Sequence, residues 1–165
     1  MASPSSLTLD DFDLAILALL QRDNTLSQRD IAQTVHLSAP AVQRRISRLR
    51  ASGVIRAETA VLDASRLGRP LTLLVEVHLH DEHPLRTAGL QQRMQDEIAV
   101  QQCYAITGEA DYLLVITAAT MADYEAITTR LFGGDDNVRR FCTSVALNCL
   151  KVGLQVPLPG GPVQV

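Results

Sequence analysis

Apolar residues recur at helical spacing in three short runs at the start of the chain. Phe12, Ile16, Leu19 and Leu20 share a face, which predicts an amphipathic helix over Asp10 to Arg22, with Thr8-Leu-Asp-Asp11 as its starting box. Asp23-Asn24-Thr25 supplies a turn. Ser27-Gln-Arg-Asp30 repeats the start signal ahead of Ile31, Ala32 and Val35, a short second helix. His36-Leu37-Ser38 breaks that helix. Ser38 can accept from a free amide of the next one, and Pro40 falls in its first turn, where a missing N–H does no harm. The third helix runs to about Ser52 and Gly53 ends it. Val42, Ile46 and Leu49, at i, i+4 and i+7, form its buried stripe; Gln43, Arg44, Arg45 and Arg48 occupy the opposite surface.

The period then changes to two. Leu73, Val75, Val77 and Leu79 alternate with Thr72, Glu76, His78 and His80, a half-buried strand over Leu71 to His80. Pro84 to Val100 carries a helical stripe through Leu85, Leu90, Met94 and Ile98. Cys103 to Thr107 and Tyr112 to Thr117 read as two strands joined by Gly108-Glu-Ala-Asp111. Met121 to Phe132 is a second helix closed by Gly133-Gly134, and Val138 to Val152 is rich in β-formers. The order βαββαβ fits a four-stranded antiparallel sheet with both helices on one face, a ferredoxin-like α+β unit. Such a sheet leaves its other face open, and the mixed residues there suit pairing with a second copy. Pro157 to Val165 reads as a loosely ordered tail.

Charge changes the picture more than composition does. The 165 residues carry a net charge of -3, which at first disfavours a nucleic-acid partner. Yet no Asp or Glu occurs from Ile31 to Ala57, a window holding Arg44, Arg45, Arg48, Arg50 and Arg56. Two short helices joined by a tight turn, the second bearing Gln and Arg on its free face, are the parts of a helix-turn-helix DNA reader. Arg pairs with guanine or grips phosphate, and Gln pairs with adenine. A solvated charged helix face is the bland alternative. Cys103, Cys142 and Cys149 have no C-x-x-C spacing and are expected to be reduced core thiols. No apolar run approaches a membrane span and the first residues lack a secretory signal, so a cytoplasmic protein without a membrane partner is expected.

Leu9-Asp-Asp-Phe-Asp13 with Ile16-Leu17, then Leu37-Ser38, Val42, Arg45-Ile46, Arg48-Leu49 and Gly53-Val54-Ile55, resembles the N-terminal domain of the Lrp/AsnC (feast/famine) transcriptional regulators. The likeness continues through Leu62-Asp63 and Leu67-Gly68 and into Ala105-Ile-Thr-Gly-Glu-Ala-Asp-Tyr-Leu-Leu114, which is similar to the family's effector domain with its Gly-x-x-Asp loop. The resemblance implies a winged helix-turn-helix domain over residues 1–61, with Gly53 to Val61 as the wing, and a hinge over 62–70. A ferredoxin-like effector-binding and oligomerisation domain over 71–154 and a tail over 155–165 complete it. It implies DNA contacts from Ser38, Pro40, Gln43, Arg44, Arg45 and Arg48. It further implies an amino-acid effector held by Thr107, Gly108, Glu109, Ala110, Asp111 and Thr143 between homodimers that assemble to an octamer, with no cofactor. His36 stands where the family commonly has Gly, Ala110 where a larger side chain is frequent, and Phe141 where Thr is frequent.

From the residues alone, Gly108 and Asp111 serve as well to build a hairpin turn as to bind a ligand, with Gly108 letting amides approach a carboxylate and Asp111 accepting from an ammonium. His78 and His80, followed by Asp81, Glu82 and His83, sit at a strand end with no fixed fourth ligand, so no metal site is expected. No catalytic constellation emerges. Two rivals remain. Sirohaem decarboxylases share the architecture, and His78, His80 and His83 would then meet substrate propionates. An effector-independent architectural DNA-binding protein is the other.

Overall fold

The computed structural model describes residues 8–159. These divide into two units, residues 8–60 with 152–159, and Val61–Lys151.

The first unit contains α1 (Asp11–Arg22), α2 (Gln28–Thr34) and α3 (Ala39–Ala51). The box that starts α1 is not Thr8/Asp11 but lies two residues on. The Asp10 carboxylate accepts the Asp13 N–H (2.9 Å) and the Asp13 carboxylate accepts the Asp10 N–H (3.2 Å). Asp11 faces solvent, whereas Asp13 is fully buried and meets two arginines of α3, so the register that neutralises a carboxylate wins. Ser27 and Ser38 cap α2 and α3 as their positions predict, and His36 takes the left-handed backbone (φ 55°) between them. Ile16, Ile31, Val35, Val42 and Ile46 close a small core. After α3 the Gly53 to Val61 stretch contains no strand; the Ile55 N–H donates to the Leu49 carbonyl (3.1 Å) and Glu58 pairs with Arg50 (2.8 Å).

The second unit is β1 (Leu71–Leu79), α4 (Pro84–Asp96), β2 (Val100–Ala105), β3 (Tyr112–Ala118), α5 (Met121–Phe132) and β4 (Val138–Val145). All pairings are antiparallel and the strand order is β2-β3-β1-β4, the ferredoxin-like arrangement. Leu73, Val75 and Val77, all at 0% exposure, pack with Leu90 and Met94 of α4 and Ile127 and Leu131 of α5. Each such side chain contributes roughly 1.5 to 3 kcal/mol of burial. Arg93 ties the helices together: its Nε donates to the Leu131 carbonyl in the last turn of α5 (2.9 Å) and its guanidinium pairs with Asp135. Gly133 permits this end of α5 to close, because a Cβ there would lie 2.4 Å from the Thr129 oxygen.

Several expectations fail in this unit for physical reasons. The α4 stripe is narrower than its spacing suggests. Leu85 lies in the first turn and Ile98 beyond the helix end, and both are exposed. β4 ends at Val145, well before Val152. The three cysteines are exposed and not in the core: Cys103 and Cys142 lie on the edge strands β2 and β4, and Cys149 follows β4.

From Val152 on, the described chain groups with the first unit by its contacts. Part of the expected tail is held. The Val156 N–H donates to the Gln21 side-chain oxygen (2.8 Å), the Gln21 Nε2 donates to the Val156 carbonyl (3.3 Å), and the Gln155 Nε2 donates to the Gln21 carbonyl (3.0 Å). Residues 160–165 of that tail lie outside the described residues. Gln21→Ala is expected to release residues 155–156 and cost about 1 kcal/mol, read as faster hydrogen exchange at the Val156 amide; unchanged exchange would make the contact incidental.

Candidate functional site: the basic helix and the glycine loop

Capping and packing fix how α3 presents its side chains. The Ser38 hydroxyl accepts from the Ala41 N–H (3.4 Å), Pro40 occupies the first turn, and Val42, Ile46 and Leu49 turn inward. Gln43 and Arg44 are thereby left exposed, and neither has a hydrogen-bond or ion-pair partner among the described residues. Arg45 and Arg48 differ. One Arg45 nitrogen lies 2.8 Å from both Asp10 Oδ2 and Asp13 Oδ1, and its guanidinium carbon sits 5.4 Å from the Phe12 ring centre. Arg48 pairs with the other oxygen of Asp13. The Asp13 amide, and then Arg45, hold the Asp10 carboxyl below the usual carboxylate range, and Asp10 in turn raises Arg45.

These two arginines therefore lock α3 to α1 before they do anything else. The Arg48 side chain keeps 44% exposure, whereas Arg45 keeps 22%. Reading the charge of α3 from its own sequence misses Asp10 and Asp13, which belong to the start of a different helix.

The second locus is the loop between β2 and β3. The Ile106 N–H donates to the Asp111 carbonyl (3.0 Å), the Asp111 N–H to the Val77 carbonyl (2.9 Å), and the Leu79 N–H to Asp111 Oδ2 (2.7 Å). Asp111 thus anchors the loop to the end of β1 through one carboxylate oxygen, and its Oδ1 has no partner among the described residues. Gly108 has φ 132°, a conformation that disfavours any side chain. The amides of Thr107, Gly108, Glu109 and Ala110 find no acceptor among the described residues. Thr107, Gly108 and Glu109 are exposed and Ala110 is buried. Thr143 is not brought to this loop. It lies on β4 opposite Val75, with its hydroxyl hydrogen-bonded to the Tyr124 phenol, whose titration burial pushes up.

Two features beside the loop escape a reading of the sequence alone. A cleft of about 400 Å³ runs between the loop, the chain after β1 and α4, and contains Asp111, Glu82, Gln91 and Tyr112. Its lining comes from segments far apart in the chain. His78 lies under the loop at 2% exposure, with Nδ1 2.9 Å from the Glu109 carbonyl and Nε2 without a partner. The His83 ring accepts from the Leu85 N–H at the start of α4 (3.3 Å), and His80 is exposed. The three histidines thus serve different surroundings and do not converge on one ligand.

Residues 9–56 match a family model for winged helix-turn-helix DNA-binding, and residues 72–156 one for the Lrp/AsnC ligand binding domain. An uncharacterized HTH-type transcriptional regulator, y4tD of Sinorhizobium fredii, is 34% identical over 93% of this chain and 90% of its own. The Bkd operon transcriptional regulator of Pseudomonas aeruginosa is 33% identical over 91% and 98%. The crystal structure of a Neisseria meningitidis transcriptional regulator in complex with L-methionine superposes with a TM-score of 0.85 at 25% identity, covering 92% of this chain and 98% of that one. Two domains in the family order, and relatives that match nearly end to end, place the whole molecule: the chain belongs to the Lrp/AsnC family of DNA-binding transcriptional regulators.

Proposed function

We propose that α3 enters the major groove with Gln43 and Arg44 reading base edges, Ser38 and Pro40 setting the helix start against the backbone, and Arg48 touching phosphate. Arg45 holds the helix in place. The observation that carries this reading is the exposed Gln43–Arg44 pair, without a partner among the described residues, on a helix whose Arg45 is held by Asp10 and Asp13 while Arg48, paired with Asp13, keeps 44% of its side chain exposed. The regulator acts in the cytoplasm as a homodimer, joined through the open sheet face where Leu74 is 40% and Tyr104 49% exposed, and four dimers close into an octamer. An amino acid binds at residues 107–111, its carboxylate to the free loop amides and its ammonium to Asp111, with Thr143 contributed by another copy. Binding shifts assembly or half-site spacing by favouring one of two states.

Titration of genomic fragments at two salt concentrations tests the DNA part. Arg44→Ala is expected to weaken the preferred site about tenfold or more and relax one base position, whereas Arg48→Ala weakens all sequences alike. Salt-independent binding, or none with or without amino acids, would overturn it.

A further inference from the structure

The cleft beside Asp111 holds an unusual balance of donors and acceptors. Its charged lining residues are Asp111 and Glu82, with no Lys, Arg or His among them. Asp111 spends one oxygen on the Leu79 amide and keeps the other. Glu82 is exposed and makes no hydrogen bond or ion pair among the described residues. Gln91 donates its amide to the Tyr112 phenol (2.7 Å), which leaves the Gln91 carbonyl oxygen as a further acceptor.

The two arginines of α4 are occupied elsewhere: Arg86 pairs with Asp136 (3.5 Å) and Arg93 with Asp135. A ligand entering this cleft therefore meets two carboxylates and a carbonyl with no protein cation to offset them. Since any amino acid brings an α-ammonium for Asp111, the side chain is judged by Glu82 and the Gln91 carbonyl: an acidic one would be repelled, a neutral aliphatic one would leave Glu82 unpaired, and a multi-donor cation would satisfy both acceptors. The apolar floor of Leu79 and Ile106 suits the methylene stem of such a group.

We infer that the effector is an α-amino acid whose side chain ends in an ammonium or guanidinium, received by Glu82 and the Gln91 carbonyl while Asp111 takes the α-ammonium. This rests on the effector reading of the loop given above. The loop amides supply the carboxylate end, so the ligand is read as a zwitterion plus one positive charge.

Calorimetry on the full-length protein with L-arginine, L-lysine, L-leucine, L-methionine and L-glutamate tests the inference. L-arginine or L-lysine is expected to bind best, with affinity falling as salt rises, and L-glutamate not at all. Glu82→Gln is expected to weaken L-arginine about tenfold without changing the melting curve, because Glu82 holds nothing in the fold. If L-leucine, L-methionine or L-glutamate binds as tightly as L-arginine and Glu82→Gln changes nothing, the cationic class is wrong and the effector site stands. If no amino acid binds, the effector reading itself fails and the inference falls with it.

Discussion

Asp13→Ala is expected to lower the stability of the first unit by roughly 3 kcal/mol and to abolish selective DNA binding. Asp13 is fully buried, yet its carboxylate is shared among the Asp10 amide, Arg45 and Arg48. Removing it strips the start of α1 of half its box and leaves two guanidiniums crowded at the α1–α3 contact, with Asp10 facing Arg45 alone. The loss exceeds that of a surface ion pair, about 1 kcal/mol or less, because the shared carboxylate is out of water. Asp13→Asn keeps volume and one acceptor and should fall between. Urea unfolding followed by helical circular dichroism reads the stability, and fragment titration at a temperature where the variant stays folded reads the binding. A loss under about 1 kcal/mol, with selectivity intact, would show that hydrophobic packing alone sets the angle of α3.

The same residues show what a linear reading can and cannot see. The stripes of α3 and β1 are legible because Val42, Ile46 and Leu49, and Leu73, Val75 and Val77, each obey one period set by the element they lie in. Met121 to Phe132 emerges with its ends in place, since Thr120 caps one and Gly133 closes the other. Local spacing fails where a partner comes from elsewhere. Arg45 and Arg48 look like free cations because the acids that neutralise them lie more than thirty residues earlier. Ile98 looks like a core residue because helical period says nothing of where Glu97 turns the chain into β2. Cysteine type favours burial, but placement on the edge strands exposes Cys103 and Cys142. For the cleft, Asp111 stands out by its motif, whereas Glu82, Gln91 and Tyr112 converge only through the tertiary fold.

Two substitutions at Asp111 separate building the loop from binding a ligand. Asp111→Ala leaves the Leu79 N–H, which belongs to a residue only 8% exposed, without its 2.7 Å acceptor, and is expected to cost about 1 to 3 kcal/mol. It should also abolish effector binding. Asp111→Asn retains an oxygen for Leu79 and should melt within about 1 kcal/mol of the wild type, but it removes the charge that meets an ammonium. Effector affinity is then expected to drop about thirtyfold or more, since a charge-assisted hydrogen bond out of bulk water contributes about 2 kcal/mol or more. Thermal melts and calorimetry on both variants give four numbers, and their pattern is diagnostic. If Asp111→Asn binds like the wild type while Asp111→Ala unfolds early, Asp111 only builds the turn, and the ammonium must be received elsewhere in the cleft, with Glu82 the one other carboxylate that lines it.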